Sequence, residues 1–72
     1  MELIKVLYKN TSYMVLSKHI DLINMCGAYA TAKYLKKCNF SINYAMACLQ
    51  QSKYLFLLDS QTFLTPKKVL KL

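Results

Sequence analysis

Tyr13, Leu16, Ile20, Ile23, Gly27, Ala30 and Tyr34 follow one another at alternating spacings of three and four residues. Side chains spaced that way share one face of a helix, so this segment is constrained to bury a helical stripe. Gly27 falls inside the stripe, and a glycine in a helix interior costs roughly 1 kcal/mol relative to alanine. The pattern therefore predicts two helices that meet there, over residues 17–26 and 28–38.

Gly27 is the only glycine and Pro66 the only proline. So little turn chemistry argues against many strands and makes helix the default elsewhere. In the first ten residues Glu2, Lys5 and Lys9 recur at three and four, with Leu3, Ile4, Leu7 and Tyr8 between them, which predicts an amphipathic helix ended by Asn10-Thr11-Ser12. The competing reading pairs residues 2–8 with 12–17 as a β-hairpin, on the strength of Val6, Tyr8, Tyr13 and Val15. Further on, Ser41 is an N-cap type, and Ile42, Ala45, Met46 and Leu49 predict the inward stripe of a helix over 41–51. Asn43, Tyr44, Ala47, Gln50 and Gln51 then face outward. Tyr54-Leu55-Phe56-Leu57-Leu58 is apolar on all sides and is expected to be buried; Asp59-Ser60-Gln61 reads as a turn, and Thr65-Pro66 opens a short basic helix over 67–72. The fold expected is all-α: one small domain, 1–72, of four or five short helices with a helix-turn-helix-like pair. The alternative is α+β with an N-terminal hairpin.

A chain of 72 residues has room for one thin core. It is also poor in catalytic parts: His19 is the only histidine, Glu2, Asp21 and Asp59 are far apart in sequence, and no glycine-rich phosphate loop or nucleophile motif is present. General acid–base and nucleophilic catalysis need converging groups with tuned pKa values, so an enzyme is not expected. Cys26, Cys38 and Cys48 are odd in number and contain no close pair, unlike a disulfide framework or a structural zinc site, and read as reduced thiols. No cofactor or metal is expected. The N-terminus lacks the pattern of a signal peptide, and the longest uncharged stretch, between Lys37 and Lys53, is too short to span a membrane, which points to the cytoplasm.

Charge gives the positive lead. Ten lysines against three acids leave a net charge of +7, which favours polyanions or acidic surfaces as partners. With no arginine in the chain, the planar fork that reads guanine is missing. The segment Ala32-Lys33-Tyr34-Leu35 followed by Phe40-Ser41-Ile42 resembles helix-turn-helix sequences in general. That resemblance implies a small DNA-binding regulator with 41–51 as its recognition helix, where Asn43, Gln50 and Gln51 face adenine edges in a major groove. Phosphate contacts would come from Lys33, Lys36, Lys37, Lys53, Lys67, Lys68 and Lys71.

The other lead is apolar surplus. At 56% hydrophobic residues, with six tyrosines and three phenylalanines, the chain has more apolar surface than one thin core hides. Contiguous exposed apolar area marks interfaces, with Tyr29 and Tyr44 as candidate anchors. The expectation is a homodimer, or a protein complex with an acidic or nucleic-acid-occupied groove that the chain blocks. Small inhibitors encoded by phages and mobile elements, anti-CRISPR proteins among them, act in that general way.

Overall fold

The computed structural model describes residues 2–58. Two antiparallel strands open the chain, β1 (Leu3–Tyr8) and β2 (Thr11–Leu16), paired from Leu3 opposite Leu16 to Tyr8 opposite Thr11. Only Lys9 and Asn10 connect them, at φ 49° and 65°. Two successive left-handed residues form the primed turn whose twist suits a two-residue hairpin loop. Three helices follow, α1 (Ser17–Cys26), α2 (Ala28–Lys37) and α3 (Ile42–Gln50), then a single 3-10 turn at Leu55–Leu57.

This α+β architecture corrects the all-α expectation and agrees with its alternative. The reason lies in β1, where Ile4, Val6 and Tyr8 turn inward while Leu3, Lys5 and Leu7 turn outward. Leu3 and Leu7 are 53% and 62% exposed, so apolar side chains occupy both faces of the strand. Such a strand has no polar alternation to report its period of two, and Glu2, Lys5 and Lys9 imitate a helical repeat.

Helices α1 and α2 flank Gly27, as the spacing predicts. Gly27 adopts φ 95° and ψ 158°, a conformation essentially confined to glycine. Its N–H donates to the Ile23 carbonyl at 2.9 Å and its own carbonyl accepts from the Thr31 N–H at 3.2 Å, so one residue closes α1 and opens α2. The break also resets the helical phase. α1 buries His19, Ile20 and Ile23, but α2 buries Ala28, Thr31, Ala32 and Leu35 and leaves Ala30 and Tyr34 outside, so the single stripe does not continue across Gly27.

Asn39, at φ 70°, ends α2 with two capping bonds. The Phe40 N–H reaches the Leu35 carbonyl and the Asn39 N–H reaches the Lys36 carbonyl, both at 3.0 Å. That is the Schellman pattern, in which a left-handed residue lets the chain reverse while satisfying the last carbonyls. Ser41 then accepts the Tyr44 N–H on its Oγ at 3.1 Å and starts α3.

Helix α3 is the centre of the molecule. It packs against both strands, both other helices and the 3-10 turn, and Tyr44 to Leu49 are all buried. The core it completes includes Val6, Val15, Ile23, Leu35, Met46 and Leu49, each at most 1% exposed. Truncating a leucine in such a position to alanine costs about 2 to 5 kcal/mol. The apolar run after α3 is less buried than expected: Leu57 is inside, but Leu55 and Phe56 are 50% and 73% exposed. The turn expected at residues 59–61 and the basic helix expected at 67–72 lie outside the described residues. No described helix is long and apolar enough to cross a membrane.

Candidate functional site

The side chains expected to face outward from α3 do not form a reading face. Tyr44 and Ala47 are buried, at 9% and 0% exposure. Gln50 is half-buried and donates from Nε2 to the Leu7 carbonyl at 2.7 Å, so it ties α3 to the hairpin. Asn43 and Gln51 are exposed, but they stand at opposite ends of the helix. A recognition helix needs one long side free to enter a groove, and α3 is packed on all sides. The sequence carried a signal of this: Ala45-Met46-Ala47-Cys48-Leu49 is an uninterrupted apolar run, and a helix apolar all round is a buried one.

Tyr44 also differs from the interface anchor expected of it. Its hydroxyl accepts the Leu16 N–H at 3.0 Å and lies 2.9 Å from His19 Nδ1. Burial, with a smaller contribution from Lys18, holds the His19 pKa below its ordinary 6.5 and keeps the imidazole neutral near pH 7. The Tyr44 hydroxyl thus accepts from Leu16 and shares a second hydrogen bond with Nδ1, its direction set by the imidazole tautomer. Phe40 stacks on Tyr44 with ring centroids 4.4 Å apart, and His19 meets Phe40 edge-on at 5.1 Å. Sequence reasoning singled out neither Phe40 nor the part His19 plays here. Burial pushes the Cys48 thiol up to about 12, so it stays protonated, and the exposed Cys26 and Cys38 are also free thiols. Among the described residues, no three of His, Cys, Asp and Glu converge in a way that could hold a metal ion.

Helix α2 presents the opposite picture. Tyr29, Ala30, Lys33, Tyr34, Lys36 and Lys37 are all exposed. Tyr29, Lys33 and Lys36 follow at four and three and therefore share a face, with Lys37 beside them. The Lys33 Nζ stands 6.0 Å from the Tyr29 ring centroid, within cation–π range. No carboxylate lies on α2, and the only carboxylate side chains among the described residues are Glu2 and Asp21. Lys36 and Lys37 also offset the negative end of the helix dipole. The structure thus brings together Lys33, Lys36, Lys37 and Tyr29 from the sequence-predicted set. It does not join Lys53 to them: that residue follows α3, its N–H bonded to Asn24 Oδ1 at 2.9 Å and its ammonium 5.4 Å from the Tyr54 ring centroid. Lys67, Lys68 and Lys71 lie outside the described residues.

Beside this face, between α2 and the start of α3, is a cavity of about 210 Å³ lined by Ala32, Lys36, Phe40, Ser41, Ile42 and Ala45. All of the lining except Lys36 and Ser41 is apolar. A different surface is apolar without charge clustering: Leu3, Leu7 and Met14 are more than half exposed on the outer face of the hairpin, around Lys5. Comparison of the chain with protein-family models, curated proteins and solved structures finds no match.

Proposed function

We propose that the protein is a small, non-enzymatic nucleic-acid-binding protein that engages the phosphate backbone through α2. The observation that carries the reading is the acid-free solvent face of that helix, where Tyr29, Lys33, Lys36 and Lys37 lie together. Lysines arranged this way release counterions when they meet phosphates, and interleaved tyrosines give bases a surface on which to stack. This is a different use of the chain from a helix inserted in a groove, and it needs no arginine. The test replaces Lys33, Lys36 and Lys37 together by Gln. Loss of binding to labelled nucleic acid of any sequence is the expected result; undiminished binding would rule out α2 as the interface.

The outer face of the hairpin favours a second reading, in which the partner is a protein, either a second copy of the chain or a larger complex that it blocks. Leu3, Leu7 and Met14 form an exposed apolar strip of the kind that marks protein contacts. Leu3→Thr with Leu7→Thr should then convert a dimer to a monomer in sedimentation, or abolish the contact with the larger complex.

A further inference from the structure

We propose that the nucleic acid is single-stranded, and that one unpaired base sits in the cavity between α2 and α3 with its phosphate against Lys36. The proposal rests on the reading of α2 as the phosphate-binding helix and names the form of nucleic acid it takes.

Size and lining come first. At about 210 Å³ the cavity is smaller than the roughly 300 to 1,000 Å³ of pockets that enclose whole drug-sized ligands or cofactors. It suits a single planar ring. Ala32, Phe40, Ile42 and Ala45 give that ring apolar walls, and Lys36 alone brings charge. Each nucleotide carries a flat, largely apolar-faced base next to one phosphate, which matches an apolar cavity with an ammonium at its side and further ammoniums on Lys33 and Lys37 along the same helix.

The aromatic wall is also fixed in advance. Phe40 is stacked on Tyr44 with an interplanar angle of 23°, met edge-on by His19, and held at its backbone by the bond to the Leu35 carbonyl. A ring already immobilised loses little further freedom when a base packs on it, so more of the contact appears as affinity. In a duplex the bases are paired and stacked, and bringing one out costs several hydrogen bonds and stacking contacts before the cavity gains anything. A single strand offers its bases freely, and stacking on aromatic side chains beside a basic track is how sequence-tolerant single-strand binding works.

The experiment measures affinity for a labelled oligothymidylate and for a mixed-sequence duplex of the same length, at one salt concentration. The full chain should prefer the single strand by about tenfold or more, the scale of one stacked base. Phe40→Leu, and separately Ala45→Val to fill the cavity, should lower single-strand affinity about tenfold and leave duplex affinity unchanged, with circular dichroism confirming that each variant is folded. A second measurement needs no variant: the amide resonances of Phe40, Ser41, Ile42 and Ala45 should move on adding oligothymidylate and stay in place on adding duplex. Equal affinity for both forms, or unmoved resonances at these four residues, would overturn the proposal while leaving the α2 reading intact. Binding of neither form would overturn both, and would turn attention to the hairpin face.

Discussion

Single residues set the break between α1 and α2 and one buried polar cluster, and each makes a prediction. Gly27 sits at φ 95° with open space where a Cβ would project, so Gly27→Ala meets no neighbour and its cost is conformational alone. That cost is about 1 to 3 kcal/mol, to be read from the denaturation midpoint. His19 gives a pH dependence whose sign follows from its lowered pKa. Above 6.5 the imidazole is neutral in both folded and unfolded chains. Below 6.5 the unfolded chain takes up a proton that the folded chain refuses, so stability is complete above that pH, falls as the pH drops toward the folded pKa and levels off beneath it. The facing groups are Lys18, Tyr34, Phe40 and Tyr44, none of them a carboxylate that would reverse the sign. Urea midpoints measured between about pH 7 and pH 5 should decline, and His19→Gln should flatten that decline. Tyr44→Phe leaves both Leu16 N–H and His19 Nδ1 without their partner and should cost about 1 to 3 kcal/mol.

Among the elements, α1, α2 and the Ser41 cap of α3 were legible in the sequence, because periodicity and cap chemistry act over a few residues. Which side of each element faces inward was harder to read. On α2 the phase is reset by Gly27, so Ala30 and Tyr34, which continue the stripe on paper, stand in solvent while Thr31 and Leu35 are buried. On α3 the predicted inward stripe is buried at Ala45, Met46 and Leu49, but Ile42 is 38% exposed and the opposite side is covered by tertiary packing that no local pattern encodes. The candidate site therefore lies on α2 and not on α3: Lys33, Lys36 and Lys37 are recognisable from charge, whereas Phe40 and its cavity arise only when α2 and α3 are brought together. The hairpin carries a weak local signal, because Lys9-Asn10 lacks the glycine that usually announces a primed turn and Glu2, Lys5 and Lys9 recur at helical spacing. Lysine is poorly suited to the left-handed region, where non-glycine residues cost roughly 1 to 2 kcal/mol. Replacing Lys9-Asn10 by Asn-Gly should therefore raise the melting temperature without moving the register. Gln50→Ala should lower stability by about 0.5 to 1.5 kcal/mol through its lost bond to the hairpin and leave sequence preference in nucleic-acid binding unchanged.

For the molecule as a whole, one buried helix supports two outward surfaces of different character, a lysine and tyrosine face on α2 and an apolar strip on the hairpin. Concentrating the cations of α2 on a helix without acids separates the two: phosphate-dominated binding weakens steeply with salt, while a desolvated apolar contact does not. The dependence of the nucleic-acid association constant on salt is therefore the most direct test that α2 is the working surface. A log–log plot for the parent chain should be steep, and for the chain with Lys33, Lys36 and Lys37 replaced by Gln its slope should shrink in magnitude by about two, as the loss of three phosphate contacts requires. An unchanged slope in that variant would contradict the account, because the three lysines would then release no counterions and the interface would lie elsewhere.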